Sequence, residues 1–404
     1  MDIREERGKA IAAMGRVKKT KQELIYEVPS QSGPGAYLVN LASGEPTCTC
    51  PDYEERQKAC KHVYAVAYTV VQQENADGSV TVTETVTVAR QRKTYPQNWT
   101  AYNAAQTNEQ DKFQELLRDL CAGIPEPHVQ RRGRPSVPLA DAIFAAAFKV
   151  YSGFSGRRFM SDLRESHKRG MISRVPHYNS IFNYLEDDGL TPILVNLIRQ
   201  SSAPLAGVEV DFAVDSSGFS TSRFTRWYDH KYGAVRTKAD WVKAHVICGV
   251  RTHIITAIEI GEKTAGDSPF LAPLVKTTAK MFSISEVSAD KAYGSDKNTN
   301  SIASFNATPF IPFRSNVKGN GSVLWEHMYH YFMFKRDEFL QHYHKRSNIE
   351  STFSMLKRKF GDSLRSKTDT AMVNETLCKV LCHNLVVLIH EMNELGIEPM
   401  FWAS

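Results

Sequence analysis

At 404 residues, 42% of them apolar, the chain is long enough for two or three domains with real hydrophobic cores. Its 50 basic and 44 acidic residues leave a net charge of only +6, so a polyanionic partner has to meet local patches rather than the whole surface. The first residues, Met-Asp-Ile-Arg-Glu-Glu-Arg, are too charged for a signal peptide, and no apolar run approaches the ~20 residues of a membrane helix, which argues against a membrane partner. Seven cysteines, an odd number without a secretion signal, point to a reducing, intracellular compartment.

Residues 4–22 read as a Lys-rich helix, and residues 23–28 and 36–41 as strands joined by the hairpin-type loop Ser30-Gln31-Ser32-Gly33-Pro34-Gly35. Cys48, Cys50, Cys60 and His62 follow, spaced C-x-C-x9-C-x-H. Three thiolates and one imidazole are a set that tetrahedral zinc prefers, and four protein ligands leave no position open for substrate, so the metal would be structural Zn²⁺. The spacing resembles the SWIM zinc-finger module over about residues 20–72, and we expect a small ββα zinc region over residues 1–75. The resemblance implies binding to DNA or protein.

Residues 76–130 read as a linker with one short helix at 112–121. Their Thr/Val-rich part, 79–88, is either a strand pair or an extended connector, and 98–110 shows no clear period. Arg131-Arg132-Gly133-Arg134-Pro135 then opens a basic region. Its Arg-Gly-Arg-Pro core resembles an AT-hook, which would put Arg132 and Arg134 in a minor groove; a charged linker explains the stretch equally well. Between Arg131 and His177 ten basic residues face three acidic ones. Helices at 139–151 and 157–167, the second closed by Gly170, and a third from Pro176 with Asn179 or Ser180 as its cap, fit a helix-turn-helix-like DNA-binding region over residues 131–200. A small helical connector is the alternative.

Residues 208–215 form a strand that ends on Asp215. Glu209 and Asp211 share its parity, but Asp215 is preferred as the site residue because it sits where the strand gives way to a turn. A hairpin of 243–250 with 253–260 follows, then a helix from 267 to 281 and a strand ending on Asp290. After these come a helix to about 306, a strand at 308–313, a loop from 314 to 337 with surface histidines 327 and 330, and a closing helix at 372–395. Between the loop and the closing helix, Tyr343, Arg346, Glu350 and Lys357 stand at helical offsets of 0, 3, 7 and 14 on one stripe. Ile349, Phe353, Leu356 and Phe360 make the apolar stripe that docks this helix. Seven basic residues against two acidic between Tyr343 and Lys367 form the second cationic patch.

The order of strand with Asp, hairpin, helix, strand with Asp, helix, strand and helix with Glu is that of an RNase H-like domain, expected over residues 205–395: an α/β fold, a mixed sheet flanked by helices. The sequence resembles the DDE transposases of bacterial and archaeal insertion sequences over about residues 131–395. The Tyr-x2-Arg-x3-Glu-x6-Lys signature is met by Tyr343, Arg346, Glu350 and Lys357, and the two Asp motifs by Asp215 and by Asp290 with Tyr293. The resemblance implies that Asp215, Asp290 and Glu350 hold two Mg²⁺ (or Mn²⁺) ions, that Arg346 and Lys357 contact DNA phosphates, and that Tyr343 orients that network. Arg223, Arg226, Trp227, Trp241 and His245 are expected near DNA. Implied too are cut-and-paste transposition with double-stranded DNA (terminal inverted repeats and target), a homodimer, and a cytoplasmic, nucleoid-associated location. An inactive zinc-containing DNA-binding regulator and a plain metal-dependent nuclease are the competing readings.

Overall fold

The computed structural model of the chain describes residues 3–14, 16–31, 33, 35–42, 45–74, 80–84, 98–126, 136–221, 241–262 and 265–402. They fall into two compact units, Met1–Pro96 and Gln97–Ser404. In the first, strands β1 (Lys18–Lys19), β2 (Ile25–Pro29), β3 (Ala36–Asn40) and β4 (Thr47–Cys48) make an antiparallel sheet in sequence order. Alternation sets its faces: along β2, Tyr26 and Val28 are buried while Glu27 is exposed. Helix α1 (Ile3–Ala13) is shorter than the expected 4–22, because Lys18 and Lys19 pair with Glu27 and Tyr26 and extend the sheet instead. Helices α2 (Pro51–Arg56) and α3 (Lys61–Thr69) follow. A Cβ at Gly8 would lie 2.4 Å from Cβ of Tyr64, so only glycine lets α1 approach α3 this closely. Strands β5 (Val70–Glu74) and β6 (Val80–Glu84) pair antiparallel, so the described part of the Thr/Val-rich stretch, 80–84, is one strand whose partner lies before it in the chain.

The second unit opens with six helices: α4 (Trp99–Thr107), α5 (Glu109–Ala122), α6 (Leu139–Ser152), α7 (Gly156–Lys168), α8 (Tyr178–Leu185) and α9 (Leu190–Ser202). The stretch expected as linker at 98–110 is helical through α4. Asn98 caps that helix by accepting from the Ala101 N–H at 3.1 Å, and Ala105 is buried on it. Helix α8 takes His177 as its cap rather than Asn179 or Ser180: the imidazole accepts from the Asn179 N–H.

Strands β7 (Asp211–Ser220), β8 (Trp241–Gly249) and β9 (Ile255–Gly261) then form an antiparallel meander, and β10 (Glu286–Ala289) and β11 (Thr308–Phe310) add parallel to β7 on its other side. The resulting order, β11-β10-β7-β8-β9, is the mixed five-stranded sheet of an RNase H-like fold. Helices flank both faces. Phe212 and Val214 of β7 pack with α10 (Leu271–Thr278) and α11 (Asp296–Ala303), whereas Ala213 and Phe219 join the helical first half of the unit.

Four helices complete the unit: α12 (Val323–Phe334), α13 (Arg336–Tyr343), α14 (Ser347–Phe360) and α15 (Asp369–Glu394). The expected loop at 314–337 therefore carries a helix. Ser322 caps α12 by accepting from the Trp325 N–H, and Trp325, Met328 and Phe332 bury one of its faces, leaving His327 and His330 exposed. Helix α15 is long and apolar enough to cross a membrane by length and composition, contrary to the expectation that no such run exists. Yet 94% of its apolar window is buried inside the protein, where it is a core helix.

Polar ties hold that helix in register. Fully buried Asn384 accepts from the Ile255 N–H at 2.9 Å and donates to Ile255 O, Ile198 O and Ser201 Oγ, joining α15 to β9 and α9. Replacing it by a leucine of similar size leaves buried backbone groups unpaired, each costing about 1–3 kcal/mol. Asn384→Leu is expected to lower the urea midpoint of unfolding clearly; an unchanged midpoint would show that the ties contribute nothing net.

Candidate functional site

The carboxylates of the two Asp motifs meet through sheet register. Glu286 pairs with Asp211 and Ala289 with Val214, so Asp290 leaves β10 beside Asp215 on β7. Asp290 then immediately precedes the short 3-10 turn Lys291–Tyr293, its side chain making no capping bond to it. Asp215 does not end its strand, as the sequence suggested: β7 runs on to Ser220 against β8. What ends at Val214 is the pairing with β10, so Asp215 stands where the sheet splits and space opens above it.

Glu350 comes from the first turn of α14, docked as expected by Ile349, Phe353 and Leu356. Tyr343 and Arg346 are not on that helix. Tyr343 ends α13 and Arg346 ends a 3-10 turn, His344–Arg346, whose carbonyls are taken by side chains: Ser347 Oγ donates to His344 O and Asn348 Nδ2 to Lys345 O. This turn aims Arg346 between the acids. Its Nη1 lies 2.7 Å from Asp215 Oδ2 and its Nη2 2.6 Å from Glu350 Oε1. One guanidinium thus ties the sheet carboxylate to the helix carboxylate. Burial raises the Asp215 carboxyl above its ordinary range; the Ser216 N–H and Arg346 oppose the rise, and neighbouring Asp290 adds to it. Burial raises the Tyr343 hydroxyl as well, beside Arg346, Asp290 and Asp215.

A second set of ion pairs, which spacing alone did not reveal, anchors the turn. Lys345 Nζ lies 2.7 Å from Asp211 Oδ2 and 2.8 Å from Glu286 Oε2. His342 Nδ1 lies 2.8 Å from Glu286 Oε1, its ring stacked on Phe310. Asp211 is thereby spent on positioning. Glu209, the other competitor, is buried and accepts from Thr252 and from the Arg251 N–H, which pins the β8–β9 turn.

Lys357 is half-buried, its ammonium donating to Ser217 Oγ (2.7 Å) and Gly218 O (3.0 Å) and lying over the Phe219 ring. Trp241 packs over Gly218, where a Cβ would meet its ring at 2.8 Å. His245, expected near DNA, is fully buried instead. It stacks on Phe270 at 3.9 Å, and burial pushes its pKa down to about 4, so it is a neutral core residue. Behind Asp215, Ser216 Oγ donates to Asp267 Oδ1, which also pairs with Lys243 Nζ at 2.6 Å. Arg132, Arg134, Arg223, Arg226 and Trp227 lie outside the described residues.

In the first unit Cys48, Cys50, Cys60 and His62 converge, their ligand atoms all within 4.8 Å of one another and all four residues buried. His62 Nδ1 lies 3.9 Å from Cys48 Sγ and 3.8 Å from Cys60 Sγ. Zinc bond lengths imply an S···N edge of about 3.6 Å, so the donor set fits a tetrahedral ion with Nδ1 as the nitrogen ligand. The neighbouring Cys60 sulfur and burial push the Cys48 thiol up, whereas Cys48 and His62 beside it hold the Cys60 thiol down.

Two outcomes are expected. Native mass spectrometry is expected to find one equivalent of zinc in the parent and none in Cys60→Ser; equal zinc content in the two would contradict the site. For the metal-free chain, a raised Asp215 pKa means that its stabilising contribution is complete below the unfolded value of about 4 and is lost as pH rises through the folded value. Asp215→Asn is therefore expected to unfold later than the parent at pH 7–8, with the difference vanishing below about pH 4. A difference that did not vary with pH would contradict this.

Residues 207–385 match the family described as Transposase DDE domain, and residues 37–70 the SWIM zinc finger. No curated protein matches the chain in sequence. Among solved structures, one described as the cryo-EM structure of a piggyBac transposase synaptic complex with hairpin DNA is similar at a TM-score of 0.37 and 10% identity, over 77% of this chain and 79% of that one. The protein thus carries a transposase DDE domain at residues 207–385 and a SWIM zinc finger of the Cys3His kind at residues 37–70.

Proposed function

We propose that the chain is an active DNA transposase in which Asp215, Asp290 and Glu350 form the metal-binding centre. The observations that support this reading are the strand register that sets Asp215 beside Asp290 and the single guanidinium, Arg346, bonded to Asp215 and Glu350 at once. The residues suit hard divalent cations: Asp215 and Glu350 share one guanidinium, and Asp215 is buried beside the further carboxylate of Asp290, a surplus of negative charge that Mg²⁺ or Mn²⁺ would relieve. When bound, two such ions supply an activated water or 3′ hydroxyl and stabilise the leaving oxygen at phosphorus. The chain's own residues fix where that happens. Register between β7 and β10 sets the spacing of the two aspartates. Arg346 sets the reach of Glu350 and presents a cation where phosphate oxygens would lie, with Tyr343 beside it. Lys357, now bonded to Ser217 and Gly218, is a second phosphate contact a short way along the same helix.

On this reading the substrate is double-stranded DNA: the element's terminal inverted repeats, then a target. The reaction is cut-and-paste, acting on DNA in the cytoplasm as a homodimer that holds two ends together. Helices α6–α9 and the basic stretch at Arg132 and Arg134 are the DNA-reading region, and the zinc finger is a DNA- or protein-binding accessory. A regulator that had lost activity would have no need of an intact acidic trio.

Glu350→Gln is expected to abolish Mg²⁺-dependent cleavage of a duplex carrying the element's end, by at least about a thousandfold, while retaining binding to that duplex in a gel-shift assay. Cleavage at the parent's rate would sink the assignment. Cleavage of any duplex, with no strand transfer by the parent protein, would favour the plain nuclease.

A further inference from the structure

Helix α6 carries a lysine where a lysine is costly. Ala145, Ala146, Ala147, Phe148 and Val150 are all buried, and Lys149 among them is only 7% exposed. Among the described residues its ammonium has neither a hydrogen-bond partner nor a carboxylate within ion-pair distance, and burial of the side chain lowers its pKa, so a charged partner would stabilise it. Lys149 lines a cavity of about 140 Å³ between α6, α8, the end of α14 and the start of α15. That is about ten times the ~10–15 Å³ needed for one water, enough for a tetrahedral oxyanion.

The other charges around the cavity are already engaged. Lys379, 2% exposed, donates to Gly361 O and Ser363 O. Arg365 donates to Gly153 O and Phe154 O. The one carboxylate, Glu375, accepts from the Arg365 N–H and, at 2.8 Å, from the Ser366 N–H. Three cations against one carboxylate leave the cavity positive, and Lys149 is the donor left over.

We propose that this cavity is a phosphate-binding site, filled in the working protein by a backbone phosphate of the DNA strand, with Lys149 as its principal donor. Position favours the DNA strand as the source. The cavity lies at the far end of α14 from Glu350, about 15 Å along the helix for ten residues, on the order of four base-pair steps of B-form DNA. The loop that borders it is tied to the end of β7, the strand of Asp215, by the Ser220 N–H donating to Asp362 O and the Leu364 N–H to Ser220 O. A strand held at the acidic trio would therefore be gripped a second time along the same helix. The choice of DNA rests on the function proposed above; the phosphate chemistry does not.

The test has two arms on the full-length protein. In the first, thermal unfolding is followed in inorganic phosphate and in chloride at equal ionic strength and pH. Phosphate is expected to raise the midpoint of the parent, and Lys149→Met to lose that rise, with at least a tenfold weaker apparent phosphate affinity. In the second, DNA affinity is measured against salt. Lys149→Met is expected to lower the slope of log affinity against log salt by about one. No phosphate-dependent rise in the parent overturns the site, whether or not the variant folds. A rise that depends on Lys149, with an unchanged salt slope, overturns the DNA strand as occupant and assigns the cavity to free phosphate. A parent that binds no DNA would refute the transposase reading while the first arm still decides the cavity.

Discussion

One guanidinium joins the two halves of the proposed active site. Sheet register alone brings Asp215 and Asp290 together, because neighbouring parallel strands are about 4.8 Å apart and both carboxylates leave at the same level. Nothing in the sheet brings Glu350 there. It arrives on a helix, and Arg346, bonded to Asp215 and Glu350 at once, sets how far that helix reaches. Charge-assisted bonds of this kind are short and directional, and their cost in desolvation is offset only when both partners are well placed. The neighbouring pairs of Lys345 with Asp211 and Glu286 supply that placement, since they fix the chain one residue before Arg346. The 3-10 turn at His344–Arg346 lets consecutive basic side chains reach separate acids: Lys345 binds Asp211 and Glu286 on the sheet, and Arg346 binds Asp215 on the sheet and Glu350 on the helix.

The rest of the second unit gives this arrangement a rigid base. Helix α15 is almost wholly buried, and buried apolar surface by itself does not fix rotation or register. The polar residues within it do. Asn384 reaches β9 and α9, and Asn374 donates to Leu185 O and Asp187 O. Glu375 and Lys379 hold the loop that follows α14. Each of these side chains has its partners. Lys149, in the same core, has none among the described residues, and that contrast sets its cavity apart from ordinary packing.

Much of this was legible in the sequence, for identifiable reasons. The order of strands and helices in the RNase H-like unit followed from alternation and helical period. The cysteine and histidine cluster followed from spacing, because its four ligands lie close together in the chain. The apolar stripe at Ile349, Phe353 and Leu356 was readable because a helix face depends only on local sequence. Contacts set by register between distant strands were not readable: the ion pairs of Lys345 join residues 134 and 59 positions apart. Helical spacing also misled at Tyr343 and Arg346, since offsets of three and four fit a single helix as well as a helix broken by a 3-10 turn. His245 was placed near DNA because it lies in the neighbourhood of the first Asp motif, but its strand is buried on both faces. Helices α4 and α12 were read as linker and loop because their apolar positions are few or crowded with tyrosine and histidine; a single capping residue starts each of them.

The central claim is that Asp215, Asp290 and Glu350 bind the same divalent ions. Iron(II) in place of magnesium, with ascorbate and peroxide, cuts a polypeptide where the metal is bound. The account predicts cuts close to residues 215, 290 and 350, all three suppressed together by excess Mg²⁺. Cuts at only one of these positions, or cuts that Mg²⁺ does not suppress, would contradict it.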